Sequence, residues 1–557
     1  MCIRDRKYGN TGLFVQDNWR LTPKFSLMAG LRMDQQSVPT RPLANPKVAL
    51  APVAGSISGG TYNRASGGFG IDNTVTLDGD KLFQPRVGFN WDLGDKQTRR
   101  QLRGGFGLFQ GAAANVWLSN PFSNTGMAVA QLNCASFTAC KTANAGGQVL
   151  FSADPDDQPA LAGTQPAPNV DAISADLQQP SVWKLNLAFE TELPELPVVG
   201  RLVASAEWLH TKTNAAIFYR HLNLGAPTAL GSDGRELYYR SEGLNPACWN
   251  NATGAAITNG ACATPTGQSR TRALSNPGFS NVLLADKTNK GGGDSLTVGI
   301  SQPTSAGFGW SLAYTRTTAK EVSPLTSSTA GSNWSNRNVF NQNEEVEQNS
   351  NYLTRDRINA SMSWARAFFS SYQTSVGVFY EGRRGKPYGW TYLNDLNGDG
   401  IGGNDLMYIP SAPGSGEVVF KGRSTSETAQ QAEDAFWSVV NANPALSSAK
   451  GGVAGRNNSF APWVNSIDLR LKQELPGFAR SHKASLTLDV LNFGNLLNKK
   501  WGRIDEIGFP SNRSFVNYGG LQDGKYVYTM GSVEDYITRQ NGGESQWAMQ
   551  VTLRYEF

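Results

Sequence analysis

The run Gln546–Phe557 constrains the fold more than any other part of the chain. Trp547, Met549, Val551, Leu553, Tyr555 and Phe557 take alternate positions, and Gln546, Ala548, Gln550, Thr552, Arg554 and Glu556 stand between them. A strand turns successive side chains to opposite faces, so this run has one oily and one wet face. The pattern recurs along the chain. Phe25, Leu27, Ala29, Leu31 and Met33 follow it, as do Trp183, Leu185, Leu187 and Phe189. So do Leu296, Val298 and Ile300, then Ile467, Leu469 and Leu471, then Ala484, Leu486, Leu488 and Val490. About 14 to 16 such segments can be counted, many near the roughly 9 to 11 residues a tilted strand needs to cross a bilayer.

The connections between these segments alternate in length. Short links lie at 21–24, 93–101, 193–200, 302–307, 367–371 and 475–482. Long polar stretches lie at 37–82, 110–180, 320–350, 384–462 and 493–544, and strand directions in 210–290 stay open. Structureless runs of such length are foreign to compact soluble domains. They suit an all-β transmembrane antiparallel β-barrel, with short turns on the periplasmic side and long extracellular loops that do the binding.

Composition agrees. No run of about 18 apolar residues exists, which excludes helical spans but not strands that show lipid only one face. The net charge of +5 is spread over 557 residues without basic clusters, so no nucleic-acid partner is expected. Charges such as Arg32, Asp34, Asp468, Arg470, Lys472, Arg554 and Glu556 fall on the wet side of the alternating segments. They would line a lumen, because each would cost a few kcal/mol near the bilayer midplane.

Two cysteine pairs, Cys134 with Cys140 and Cys248 with Cys262, sit in loop-like stretches and read as disulfides of an oxidising compartment. Cys2 belongs to the opening MCIRDR, which reads as a non-native start over residues 1–6. The string Asp395-Leu396-Asn397-Gly398-Asp399-Gly400 fits the opening of a calcium loop, in which alternate oxygens converge on one hard cation. The twelfth position is Leu406 instead of Glu, so Asp405 would have to complete a set of Asp395, Asn397, Asp399 and Asp405. The alternative is an Asn/Asp/Gly turn with no ion. No other cofactor is expected. His210, His221 and His482 fall in no hydrolase or metalloprotease motif, and no enzyme is expected. Glu344, Glu345 and Glu347 make an acidic loop patch, read as solvated or as a capture point for cations.

Several stretches resemble TonB-dependent outer-membrane receptors, especially the Oar-like group. They are GLFVQDNWRLTP at 12–23, NDLNGDG at 394–400 with NDLMYIP at 404–410, PWVN at 462–465, and LDVLNFGNLLN at 488–498. The resemblance covers most of the chain from residue 11 onward. It implies a 22-stranded barrel of which 7–557 is the C-terminal portion, the plug and first strands being absent. The terminal residues Trp547, Val551, Leu553, Tyr555 and Phe557 are similar to the signal read by the barrel-assembly machinery. The implied partners are outer-membrane lipid, that machinery, the TonB complex acting through the plug, and an unknown extracellular ligand. The implied function is ligand capture by outer loops and energised uptake across the bacterial outer membrane. An Oar-like adhesion protein and a plugless porin are the alternatives.

Overall fold

The computed structural model describes residues 7–95, 98–111, 113–127, 154, 166–195, 200–479 and 481–557. Its main sheet has thirteen long strands, four shorter ones being attached to make 17. The long strands are β1 (Gly9–Thr22), β2 (Phe25–Ser37), β3 (Lys81–Asp92), β4 (Arg100–Gln110), β5 (Ser181–Glu192), β6 (Val203–His221) and β7 (Gly291–Ser305). They continue with β8 (Phe308–Thr317), β9 (Asp356–Phe369), β10 (Tyr372–Arg383), β11 (Val464–Pro476), β12 (Lys483–Leu491) and β13 (Ala548–Glu556). Each pairs antiparallel with the next in sequence, from β1 to β13.

Thirteen wall strands is fewer than the 14 to 16 expected. Four shorter strands, Val170–Ile173, Val282–Thr288, Lys320–Glu321 and Gln348–Asn349, are attached to the same sheet beside the long ones. Among the fully described connections, the predicted short links 21–24, 302–307 and 367–371 join neighbouring wall strands, and the long stretches 37–82, 320–350, 384–462 and 493–544 join them at the opposite end. The ambiguous region resolves. β6 runs unbroken to His221, residues 222–290 form a sixth long loop, and Val282–Thr288 pairs back onto the outer end of β6.

The link between β7 and β8 shows how tightly local geometry selects residues. Ala306 (φ 50°) and Gly307 (φ 83°) turn the chain through two left-handed residues, which matches the twist of the flanking strands. A Cβ on Gly307 would stand 2.1 Å from the Ala365 carbonyl oxygen on β9, so no larger residue fits.

The register places most of the oily residues of the wall on one face, with Phe14 and Phe379 falling instead beside Arg32 and Asp468 on the other. Val87 stands opposite Phe106, Phe106 opposite Leu185, Leu187 opposite Trp208, and Trp208 opposite Leu296. The belt continues through Val298 with Tyr314, Met362 with Val378, Leu471 with Leu488, and Leu488 with Val551. Val87, Phe106, Leu187, Trp208, Leu296, Val298, Met362, Leu471 and Val551 are all exposed, an uncovered apolar area far beyond a water-soluble surface. Lipid is the solvent this face fits.

The opposite face carries the charges foreseen for it, paired across or along strands. Arg32 bonds Asp34 at 2.6 Å, Arg103 bonds Glu190 at 2.8 Å, Arg470 bonds Asp489 at 2.6 Å, and Arg554 bonds Glu556 at 2.8 Å. Asp468 and Lys472 share this face with Arg470. Among the described residues, β1 pairs only with β2 and β13 only with β12, so the sheet has two free edges.

Candidate functional site: a packed canopy over the loop end

The long loops do not splay. Residues 229–262, 387–461 and 504–536 fold on one another into a single core rich in aromatic side chains. Tyr239, Trp249, Trp390, Tyr392, Phe436, Phe515, Tyr518, Tyr526 and Tyr528 are buried in it. Short strands stitch the pieces together. Pro387–Thr391 pairs with Ser459–Phe460 and with Asn512–Ser514, and Val419–Lys421 pairs with Lys525–Met530. A helix, Ala429–Ala442, packs Ala432, Phe436 and Val440 inward from one face. Its start is fixed by a capping box: Gln431 N donates to Thr428 Oγ1 at 3.2 Å, and Thr428 N donates to Gln431 Oε1 at 2.8 Å.

Cys248 and Cys262 form a disulfide beside Trp249, whose indole Nε1 donates to the Gly243 carbonyl at 2.9 Å. Cys134 and Cys140 lie outside the described residues. The acidic patch turns inward to bind loop to loop. Glu344 accepts from Phe340 N and Asn341 N, Glu345 from Thr288 Oγ1, and Glu347 from Gly291 N. Each of these carboxylates thus fastens a backbone or hydroxyl donor, and Glu345 also lies 3.8 Å from Lys290.

The string 395–405 is drawn into a buried knot beneath this core. Asp395 accepts from Gly398 N at 2.6 Å and Gly400 N at 2.9 Å. Asp399 accepts from Ile401 N at 2.6 Å, Asn404 Nδ2 at 3.2 Å, Asn397 Nδ2 at 3.4 Å, and from Gln342. Asp405 accepts from Leu396 N at 2.9 Å and from the Arg235 guanidinium at 3.3 Å. The four residues proposed for calcium do come together, but as acceptors of N–H groups. Among the described residues no three His, Cys, Asp or Glu side chains converge as a metal-binding set. The expected calcium stays a reading of the sequence, and the same oxygens also serve the loop's own N–H groups.

Burial pushes the Asp399 carboxyl up to about 7, with the Asp405 charge adding to the rise. Asp395 is raised by burial and by the charges of Asp399 and Asp405. The unfolded chain would hold Asp399 near 3.8, so between about pH 4 and 7 the folded state holds more protons. Stability is therefore expected to fall as pH rises through that window, by roughly 2 to 4 kcal/mol. Hydrogen exchange of peptides covering 394–407, corrected for intrinsic rates, should show less protection at pH 8 than at pH 5. Asp399→Asn should flatten that difference; an unchanged slope would place the effect elsewhere.

Beside the knot lies a cavity of about 550 Å³. One wall is the short strand Val170–Ile173, parallel to Val282–Thr288 on the outer extension of β6. It presents Asp171, whose carboxylate accepts from Asn124 Nδ2 at 2.7 Å and is pushed up to about 6 by burial. Across the cavity Arg272, in left-handed backbone (φ 49°), donates through Nη1 to Asn281 Oδ1 at 3.0 Å. His221 backs this group: Nδ1 accepts from Asn223 N at 3.1 Å, and its ring meets Trp334 edge-on at 4.9 Å. The other two histidines lie apart. His210 is on the oily face of β6, 2.9 Å from Asp294, and His482 is in the β11–β12 turn, 2.6 Å from Tyr555 Oη. Sequence reasoning did not single out Asp171 or Arg272, since neither belongs to a local motif.

The family described as the outer membrane beta barrel domain matches residues 4–502. The chain belongs to that family. Its place is the bacterial outer membrane, and its wall is the barrel sheet of the family. No curated protein sequence matches the chain. Among solved structures it is similar to the ferric enterobactin receptor PfeA of Pseudomonas aeruginosa, at 11% identity and a TM-score of 0.37. That alignment covers 99% of this chain and 45% of the receptor. It is similar to the siderophore receptor PiuA of Acinetobacter baumannii at 9% identity and a TM-score of 0.34, over 99% of this chain and 43% of that one. The outer membrane transporter YddB of Escherichia coli aligns at 8% identity and a TM-score of 0.36, over 99% of this chain and 54% of that one. The outer-membrane barrel chain thus spans about half the length of these structures.

Proposed function

We propose that this barrel chain is the C-terminal wall and outer canopy of a TonB-dependent receptor, which captures a ligand at the cell surface and takes it up with energy supplied from the inner membrane. The observation that carries the reading is the canopy. Its long loops are condensed into one buried core with a polar cavity, a surface built for holding a ligand more than for leaving a pore mouth open. The motifs shared with the Oar-like group support the same assignment and keep surface adhesion as the second reading. The free edges of β1 and β13 support further strands in the complete protein, because an unpaired edge in lipid leaves several kcal/mol of unmet hydrogen bonding per group. A plug bearing the TonB contact, and recognition of the terminal strand Trp547–Phe557 by the barrel-assembly machinery, belong to this proposal.

Two measurements on the full-length protein test it. In planar bilayers the protein should be electrically silent, and its purified form should bind the periplasmic domain of TonB. Binding of that domain supports the receptor whatever the conductance. Steady open-channel conductance without TonB binding would make it a porin. Silence without TonB binding would leave the adhesion reading.

A further inference from the structure

The cavity between Asp171 and Arg272 holds two charges of opposite sign, Asp171 buried and Arg272 half-buried, and neither has an ion-pair partner among the described residues. Asp171 is 4% exposed and keeps its single side-chain bond from Asn124. Arg272 spends Nη1 on Asn281 and on the neighbouring His221 ring, which leaves Nη2 and Nε without a bond to any described residue. The carboxylates of Asp399 and Asp395 act on it only from beyond ion-pair distance. A buried charge without a close counter-charge is costly unless something completes it.

We propose that this cavity binds a zwitterion of the amino-acid or short-peptide class, its ammonium at Asp171 and its carboxylate at Arg272. The charges decide between chemistries. A neutral saccharide would leave both groups uncompensated. An anion alone would meet Arg272 but be repelled by Asp171 and Asp399, both of which line the same cavity. A cation alone would be repelled by Arg272, whose guanidinium already feels the charge of Arg64. The remaining lining, including Asn169, Asn281, Thr271 and Ser332, offers amide and hydroxyl groups suited to a peptide backbone. A volume of about 550 Å³ lies within the range of small-ligand sites and admits a chain of a few residues. The inference rests on the receptor reading and names its ligand class.

The test is calorimetric titration of the full-length protein in detergent with alanine and with di-, tri- and tetra-alanine. At least one should bind. For the best of them, N-acetylation and C-amidation should each weaken binding tenfold or more. Asp171→Asn should erase the penalty of acetylation, and Arg272→Gln that of amidation. Equal binding of capped and free peptides would overturn the proposal. So would the absence of binding by every probe at millimolar concentration, or tighter binding of a neutral disaccharide. The capped series on the unaltered protein decides the matter even if a variant fails to fold. A negative result beside intact TonB binding would remove the ligand class and leave the receptor standing.

Discussion

Replacing Arg235 with alanine is expected to destabilise the canopy by about 3 to 5 kcal/mol, the cost of breaking a buried ion pair from one side. Arg235 is fully buried and binds Asp405 at 3.3 Å and Asp233 at 3.4 Å, and it donates to the Leu406 carbonyl. Its guanidinium also stacks 4.9 Å from the Phe340 ring. Removing it leaves two buried carboxylates next to the already strained charge balance of Asp395 and Asp399. Protease sensitivity of the outer loops on intact cells should rise, while the wall strands stay protected. The double change Arg235→Met with Asp405→Leu should recover part of the loss, because it removes a charge from each side. Loops as protease-resistant in Arg235→Ala as in the parent would show that the canopy does not depend on this pair.

Trp390→Ala is expected to cost a similar 3 to 5 kcal/mol, the range for emptying a large aromatic site in a core. Trp390 is 1% exposed, packs edge-on against Phe515 at 5.5 Å, and lies under the Arg513 guanidinium at 5.2 Å. Its indole Nε1 donates to Ser459 Oγ at 2.9 Å, so truncation also strands a hydroxyl. Trp501, which is 57% exposed, provides the control. Its replacement by alanine should change stability by less than about 0.5 kcal/mol. Hydrogen exchange over 387–392 and 512–530 separates the two outcomes. Equal protection in both variants would mean that the aromatic core is not what holds the loops.

The wall was legible because lipid on one side and water on the other write a period of two into every strand. The turns were legible because short polar links repeat between those strands. Val282–Thr288 escaped for the converse reason: Val282, Leu283, Leu284 and Ala285 are all buried, so no alternation marks it. The canopy escaped because its strands are pieces of two to seven residues that pair across great distances in sequence. Its helix could have been read from Thr428, Gln431 and the spacing of Ala432, Phe436 and Val440. The calcium string was legible as a cluster of acceptors, but residue types alone do not say whether those oxygens face a cation or the chain's own N–H groups. The cavity had no signature at all, since Asp171 and Arg272 come from separate loops and meet only in the fold.

The canopy joins parts of the chain that emerge far apart in time. Tyr239 stacks on Tyr518 at 5.8 Å, and Tyr518 Oη donates to the Gly243 carbonyl at 3.3 Å across 275 residues. Closing such a span costs chain entropy before any contact repays it. This fastening ties together at the mouth wall strands that are not neighbours in the sheet. A chain halted before Asn512 loses Phe515, Tyr518, Tyr526 and Tyr528 from the shared core and with them the contacts that join the early loop to the late one.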